Sequence, residues 1–266
     1  MECLFCHGSE GGRLSVEHLV SKPVAEAFSI DRTAELASGD STTGVIHASR
    51  PLTALSARLA CERCNNGWMN ALEHDMAYVA RWVNGRTVGL TPTTSRSLRR
   101  WLIKTHLVLS FIEGGTRRFG ANDDFRIIPR ASPGRWLYED SNELLAGVAF
   151  AFVRLHKPPS NNFAYLVETP RVLHAGGRAL NGRAASVTVV DLGLLRCVVV
   201  VPVAMGATIT FPVGLRDVRD GSTFRSLPRS QRSGSPNEVV VDFGEVDIVA
   251  TLDSLLPDVP EPEHPA

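Results

Sequence analysis

Residues 61–69 read Cys-Glu-Arg-Cys-Asn-Asn-Gly-Trp-Met, and residues 3–6, far upstream, read Cys-Leu-Phe-Cys. Each stretch sets two thiols at the spacing from which one backbone knuckle presents both to a single ion. Four thiolate sulfurs at about 2.3 Å suit tetrahedral Zn²⁺, and four protein ligands make a closed, structural site. Such an ion locks the N-terminus onto the start of a distant helix, and its binding free energy becomes folding free energy. Disulfides across gaps this short would close tiny loops and link nothing distant. The fifth cysteine, Cys197, lies in the apolar run LLRCVVVVPV and reads as a small buried core residue.

Working outward, the first knuckle leads through a Gly-rich turn (Gly8, Gly11, Gly12) into the apolar stretch Leu14, Val16, Leu19 and Val20, a turn and then a strand. Pro23 precedes a short helical turn at Val24–Phe28, residues 29–49 are polar and read as an inserted loop, and residues 51–60 read as a strand. After Cys64, Trp68, Leu72, Met76 and Val79 recur at helical spacing until Asn84-Gly85. A second helix is expected from about Thr94 to Glu113, with Leu98, Trp101, Leu102, Val108 and Leu109 inward and Gly114-Gly115 as the stop. From about Gly147 the chain turns to Val-, Phe- and Thr-rich runs: AFAFVRL, FAYLVE, ASVTVV, LLRCVVVVPV, TITFPV, EVVVDFG and VDIVATL all read as strands. The expected architecture is α+β, divided into an N-terminal module at 1–84, a basic helical segment at 85–145, a β-rich domain at 146–256 and an acidic, Pro-rich tail at 257–266.

Composition narrows the function classes. The chain of 266 residues is 44% hydrophobic and 21% charged, enough to bury a core, and its formal net charge is zero. The longest apolar run, Cys197–Ala207, falls short of the ~18 residues of a membrane span. The start MECLFCHGSEGG has no basic stretch followed by an apolar one, so a cytoplasmic protein without a membrane anchor is expected.

Between the cysteine pairs lies Ser-Val-Glu17-His18-Leu-Val. A carboxylate beside a neutral imidazole supplies a hard ligand for Mg²⁺ and a base able to deprotonate water near neutral pH, although the same dipeptide also suits an exposed strand. Asn65, fixed in place by Cys64, offers an amide oxygen as a second ligand or serves as a helix cap. Glu73, beside His74 and Asp75, reads as a solvated helix end, with a third ligand or supporting carboxylate as the alternative.

The ordered set CLFC, SVEHLV and CERCNNGWM resembles the HNH endonucleases, in the branch that carries a four-cysteine zinc site. The resemblance covers about residues 1–75 and implies a ββα-metal, treble-clef-like module. It implies Cys3, Cys6, Cys61 and Cys64 as structural zinc ligands, Glu17 and Asn65 as ligands of a catalytic Mg²⁺ or Mn²⁺, and His18 as general base. Glu17 stands where most of the family has Asp. No Asn precedes Asn65 to orient the base, which leaves that task to a backbone carbonyl. The implied activity is metal-dependent phosphodiester hydrolysis, with DNA the expected substrate.

Residues 81–136 hold eleven basic and three acidic residues. Arg96, Arg100 and Lys104, with Arg99 alongside, recur on the second helix at a spacing suited to phosphate contacts, or to an ordinary solvated face. From Ser233 onward there is no Lys or Arg, so that end is expected to stay clear of nucleic acid. The β-rich domain is a candidate surface for self-association or a protein partner. Two other readings fit the same cysteines: a zinc-knuckle nucleic-acid-binding protein without catalysis, and a zinc-stapled protein-interaction module.

Overall fold

The computed structural model describes residues 3–8, 11–39, 46–86, 89–114, 137–139, 148–155, 157–168, 171–173, 179–180, 185–202, 208–210, 216–217 and 240–242. The architecture is α+β. Strand β1 (Leu14–His18) pairs antiparallel with β4 (Ser56–Cys61), so that Leu14 faces Cys61 and His18 faces Ser56. The first knuckle docks beside this pair through a bond from Leu4 N–H to the Leu59 carbonyl, 2.8 Å long. The chain leaves β4 at Cys61 and enters helix at once: α2 (Glu62–Cys64), a π-helical turn (Asn65–Met69) and α3 (Asn70–Val83). Gly67 leaves helical geometry inside the turn (φ −92°, ψ −112°), the local widening that often marks a functional position. Leu72, Met76 and Val79 are buried as their spacing predicts. The helix ends at Asn84, followed by Gly85 at φ 72°, the left-handed stop that glycine supplies.

Residues 29–49 correct the expectation of a loop. After α1 (Lys22–Phe28) the chain forms β2 (Glu35–Gly39), which pairs antiparallel with β3 (Ile46–Pro51). A polar hairpin held by its backbone ladder carries no apolar alternation, so periodicity gave no signal for it. A 3₁₀ turn (Leu52–Ala54) returns the chain to β4.

Helix α4 (Pro92–Gly114) is the axis of the molecule. Leu98, Trp101, Leu102, Val108 and Leu109 are buried, and the helix packs on α3, β4 and the C-terminal sheet. That antiparallel sheet has the order β12 (Arg216–Asp217), β5 (Ala149–Arg154), β10 (Leu195–Pro202), β9 (Ala185–Leu192), β6 (Phe163–Glu168). A smaller sheet joins β11 (Thr208–Thr210), β13 (Val240–Asp242), β7 (Arg171–Leu173) and β8 (Ala179–Leu180), with β13 parallel to β7. Cys197 is fully buried in β10, as its apolar neighbours predict. One hydrophobic cluster runs from Cys3, Phe5 and Cys64 through Trp101 and Leu102 to Phe150, Val190 and Val199. The expected strand at 246–252 and the tail at 257–266 lie outside the described residues. Among the described residues no helix is long and apolar enough to cross a membrane.

Candidate functional site

The β1–β4 register and the helix start bring the two cysteine pairs together. The sulfurs of Cys3, Cys6, Cys61 and Cys64 all lie within 4.8 Å of one another and all four residues are buried. Cys6 Sγ and Cys61 Sγ are 3.7 Å apart. That separation is far beyond a disulfide bond and close to the ~3.8 Å edge of a tetrahedron with metal–sulfur bonds of about 2.3 Å. The Cys61 N–H also donates to Cys3 Sγ at 3.3 Å. Burial raises the Cys3 and Cys64 thiols above their ordinary values, which a metal ion reverses by holding the thiolates. The indole N–H of Trp68 is buried without a hydrogen-bond partner among the described residues, yet it favours the Cys64 thiolate. A donor waiting beside a sulfur suits a metal-bound thiolate. Trp68 is fixed edge-on against Phe5, ring centroids 5.4 Å apart, and Arg100 covers its other side at 5.6 Å. The cluster therefore fits a structural zinc ion.

Directly after Cys64, the Asn65 amide nitrogen donates to Ser15 Oγ and to the Val16 carbonyl, both at 3.0 Å. Those bonds tie the helix start to β1 where its register shifts, between Ser15 and Glu17. The bulge turns Val16 out to solvent and Glu17 inward. With its nitrogen engaged, Asn65 has its oxygen Oδ1 left to accept. No hydrogen bond joins Asn65 to Glu17 or His18 among the described residues.

Glu17 is buried, with Oε1 2.5 Å from Lys104 Nζ, and Lys104 also bonds Glu73 Oε1. Three elements, β1, α3 and α4, thus meet in one ammonium and two carboxylates. Burial raises the Glu17 carboxyl above the usual range; Lys104 opposes this and Glu73 reinforces it. For Lys104 burial disfavours the charge, but the two carboxylates outweigh it and hold the ammonium above its ordinary value. Two sequence expectations are corrected here. Glu73 is no solvated helix end, because α4 covers it. Lys104 is fully buried and cannot reach a phosphate.

The other basic residues of this helix are each partly or fully withdrawn from water. Arg99 is buried, and Arg100, half-buried over Trp68, also donates to the Leu137 carbonyl at 2.5 Å. Arg96 is half-buried. The cause is the central position of α4, with packed elements where a surface helix would meet water. The basic residues Arg117, Arg118, Arg126, Arg130 and Arg135 lie outside the described residues.

His18, on the opposite side of β1 from Glu17, is half-buried. Burial lowers its pKa first and the charge of Arg32 lowers it further, while the backbone of Thr53 and the charge of Glu73 oppose them. Nδ1 is buried without a hydrogen bond of ordinary geometry among the described residues. The imidazole is thereby kept neutral at pH 7, the form a general base needs. Of the two residues the resemblance assigns to a catalytic cation, Asn65 keeps a donor oxygen available, whereas the Glu17 carboxylate is engaged by Lys104.

Sequence reasoning passed over Lys104 as a partner of Glu17, and Arg32 altogether. No periodic or motif signal marks either one, since both act across long chain separations. No protein-family model, no curated protein and no solved structure matches this chain.

Proposed function

We propose that this protein is an HNH-type endonuclease that hydrolyses phosphodiester bonds in nucleic acid, with DNA as the expected substrate. The supporting observation is the stapled ββα arrangement. Four cysteines positioned for zinc fix Cys64, the next residue Asn65 is bonded to β1, and β1 ends on a neutral, half-buried imidazole. That arrangement supports the ββα-metal reading that the ordered motifs imply.

In this reading His18 takes the proton of the attacking water. The backbone of Thr53, in place of a second Asn, lies against the ring. A Mg²⁺ or Mn²⁺ ion would supply charge neutralisation at the phosphate and the leaving oxygen, and Asn65, whose amide nitrogen is engaged while Oδ1 is left to accept, is the residue of this chain that would help to hold it. Glu17 contributes through Lys104 and Glu73 by fixing the strand that carries His18.

Plasmid nicking with Mg²⁺ or Mn²⁺ tests the reading. Wild type is expected to nick, and His18→Ala to lose about 10²-fold or more in rate, with zinc content and unfolding midpoint unchanged. Equal nicking by both proteins overturns the assignment of the base, and absence of nicking by wild type with either ion overturns the enzyme reading.

A further inference from the structure

A phosphodiester approaching His18 meets an electrostatic problem. The buried cluster nearby sets two carboxylates against one ammonium, and that ammonium is fully enclosed. Asn65 offers an acceptor oxygen, which repels an anion, and the imidazole is neutral. Of the arginines of α4, Arg99 is buried and Arg100 is half-buried over the Trp68 ring.

Arg32 is placed differently. It is half-buried, Nε is enclosed without a hydrogen-bond partner, and among the described residues no carboxylate pairs with its guanidinium. Holding a cation partly out of water without a partner is unfavourable; Arg196, by contrast, is gripped by both oxygens of Asp191 at 2.8 Å.

The segment bearing Arg32 is also pinned from two sides, by the turn at Thr53 and by Asn161 and Asn162. The Thr53 N–H donates to the Arg32 carbonyl at 3.0 Å, which sets Arg32 against the turn that lies along His18. Asn161 brackets Asp31, accepting from its N–H at 2.9 Å and donating to its carbonyl at 2.8 Å. Asn162 donates to the Ser29 carbonyl at 3.1 Å. The adjacent acid, Asp31, accepts through Oδ1 from the Thr33 N–H at 2.8 Å and the Thr33 hydroxyl at 2.7 Å and forms no ion pair with Arg32 among the described residues. A planar fork of donors carried on a pinned backbone near the imidazole matches a phosphate oxygen pair.

We infer that Arg32 is an anion-binding residue that holds the non-bridging oxygens of a phosphodiester against His18. This deepens the nuclease reading and rests on it for the identity of the ligand, but its test does not require turnover.

The probe is a fluorescently labelled DNA duplex, titrated by anisotropy without added Mg²⁺ or Mn²⁺ over a range of salt concentrations. Arg32→Met is expected to weaken binding about tenfold near 0.1 M salt and to lower the salt slope by about one. Arg32→Lys is expected to recover the slope but not the full affinity, because a point charge cannot grip two oxygens. Unchanged affinity and slope in a folded, zinc-containing Arg32→Met overturn the inference, even if wild type nicks plasmid. Loss of binding in Arg32→Met with no nicking by wild type supports the anion site and overturns the enzyme reading.

Discussion

Lys104 shows how far a residue's meaning depends on its surroundings. As a letter on a basic helix it reads as a phosphate contact; in the fold it has no exposure to water and joins Glu17 to Glu73. An enclosed ammonium is tolerable because both carboxylates bind it, and removing it strands two negative charges. Lys104→Met is therefore expected to destabilise the fold by about 3–5 kcal/mol in urea unfolding. Adding Glu17→Gln and Glu73→Gln to it is expected to recover most of that loss, since the charges then disappear together. Equal stability of the single variant and wild type contradicts the clamp. Glu17 and His18 show the same dependence: adjacent in sequence, they part at a strand whose bulge sends one inward and leaves the other half-exposed.

At the scale of elements, the N-terminal unit combines the β1–β4 pair, the β2–β3 hairpin and helices α1 and α3, with the cysteine cluster at the joint between β4 and α2. A small unit of this kind depends on its staple. Native mass spectrometry is expected to find a single zinc ion per chain, lost in Cys61→Ser. Chelation is expected to remove hydrogen-exchange protection from the amides of β1, β4 and α2 before those of β9 and β10. Simultaneous loss across both regions contradicts a local role for the metal. The cysteine spacing made this joint legible from the sequence, as did the ends of α3 and α4. The hairpin of β2 and β3 was not legible, because its backbone pairing needs no apolar pattern.

Across the whole molecule, α4 joins the cysteine-cluster end to the C-terminal sheet, and the two share one core. His106 marks the seam: fully enclosed, its Nδ1 lies 2.7 Å from Thr188 Oγ1 of β9, and burial lowers its pKa to about 4. In the unfolded chain the imidazole takes a proton near 6.5, so between those values the unfolded state binds more protons. The sign follows directly: stability is full above about 6.5 and falls as the pH drops, by roughly 3 kcal/mol at pH 4. His106→Gln is expected to remove that part of the slope. Parallel pH profiles for the variant and wild type, measured by urea unfolding, contradict it. What the sequence alone determined were features written in short spacings: the cysteine knuckles, the apolar faces of α3 and α4, the strand-rich C-terminal part and the α+β class. Tertiary structure alone decided which charges meet water. The enclosure of Lys104 and Glu73, the partial burial of Arg32 and the side of β1 that carries His18 depend on groups distant in the chain, and solvation is a property of what surrounds a residue rather than of its neighbours in sequence.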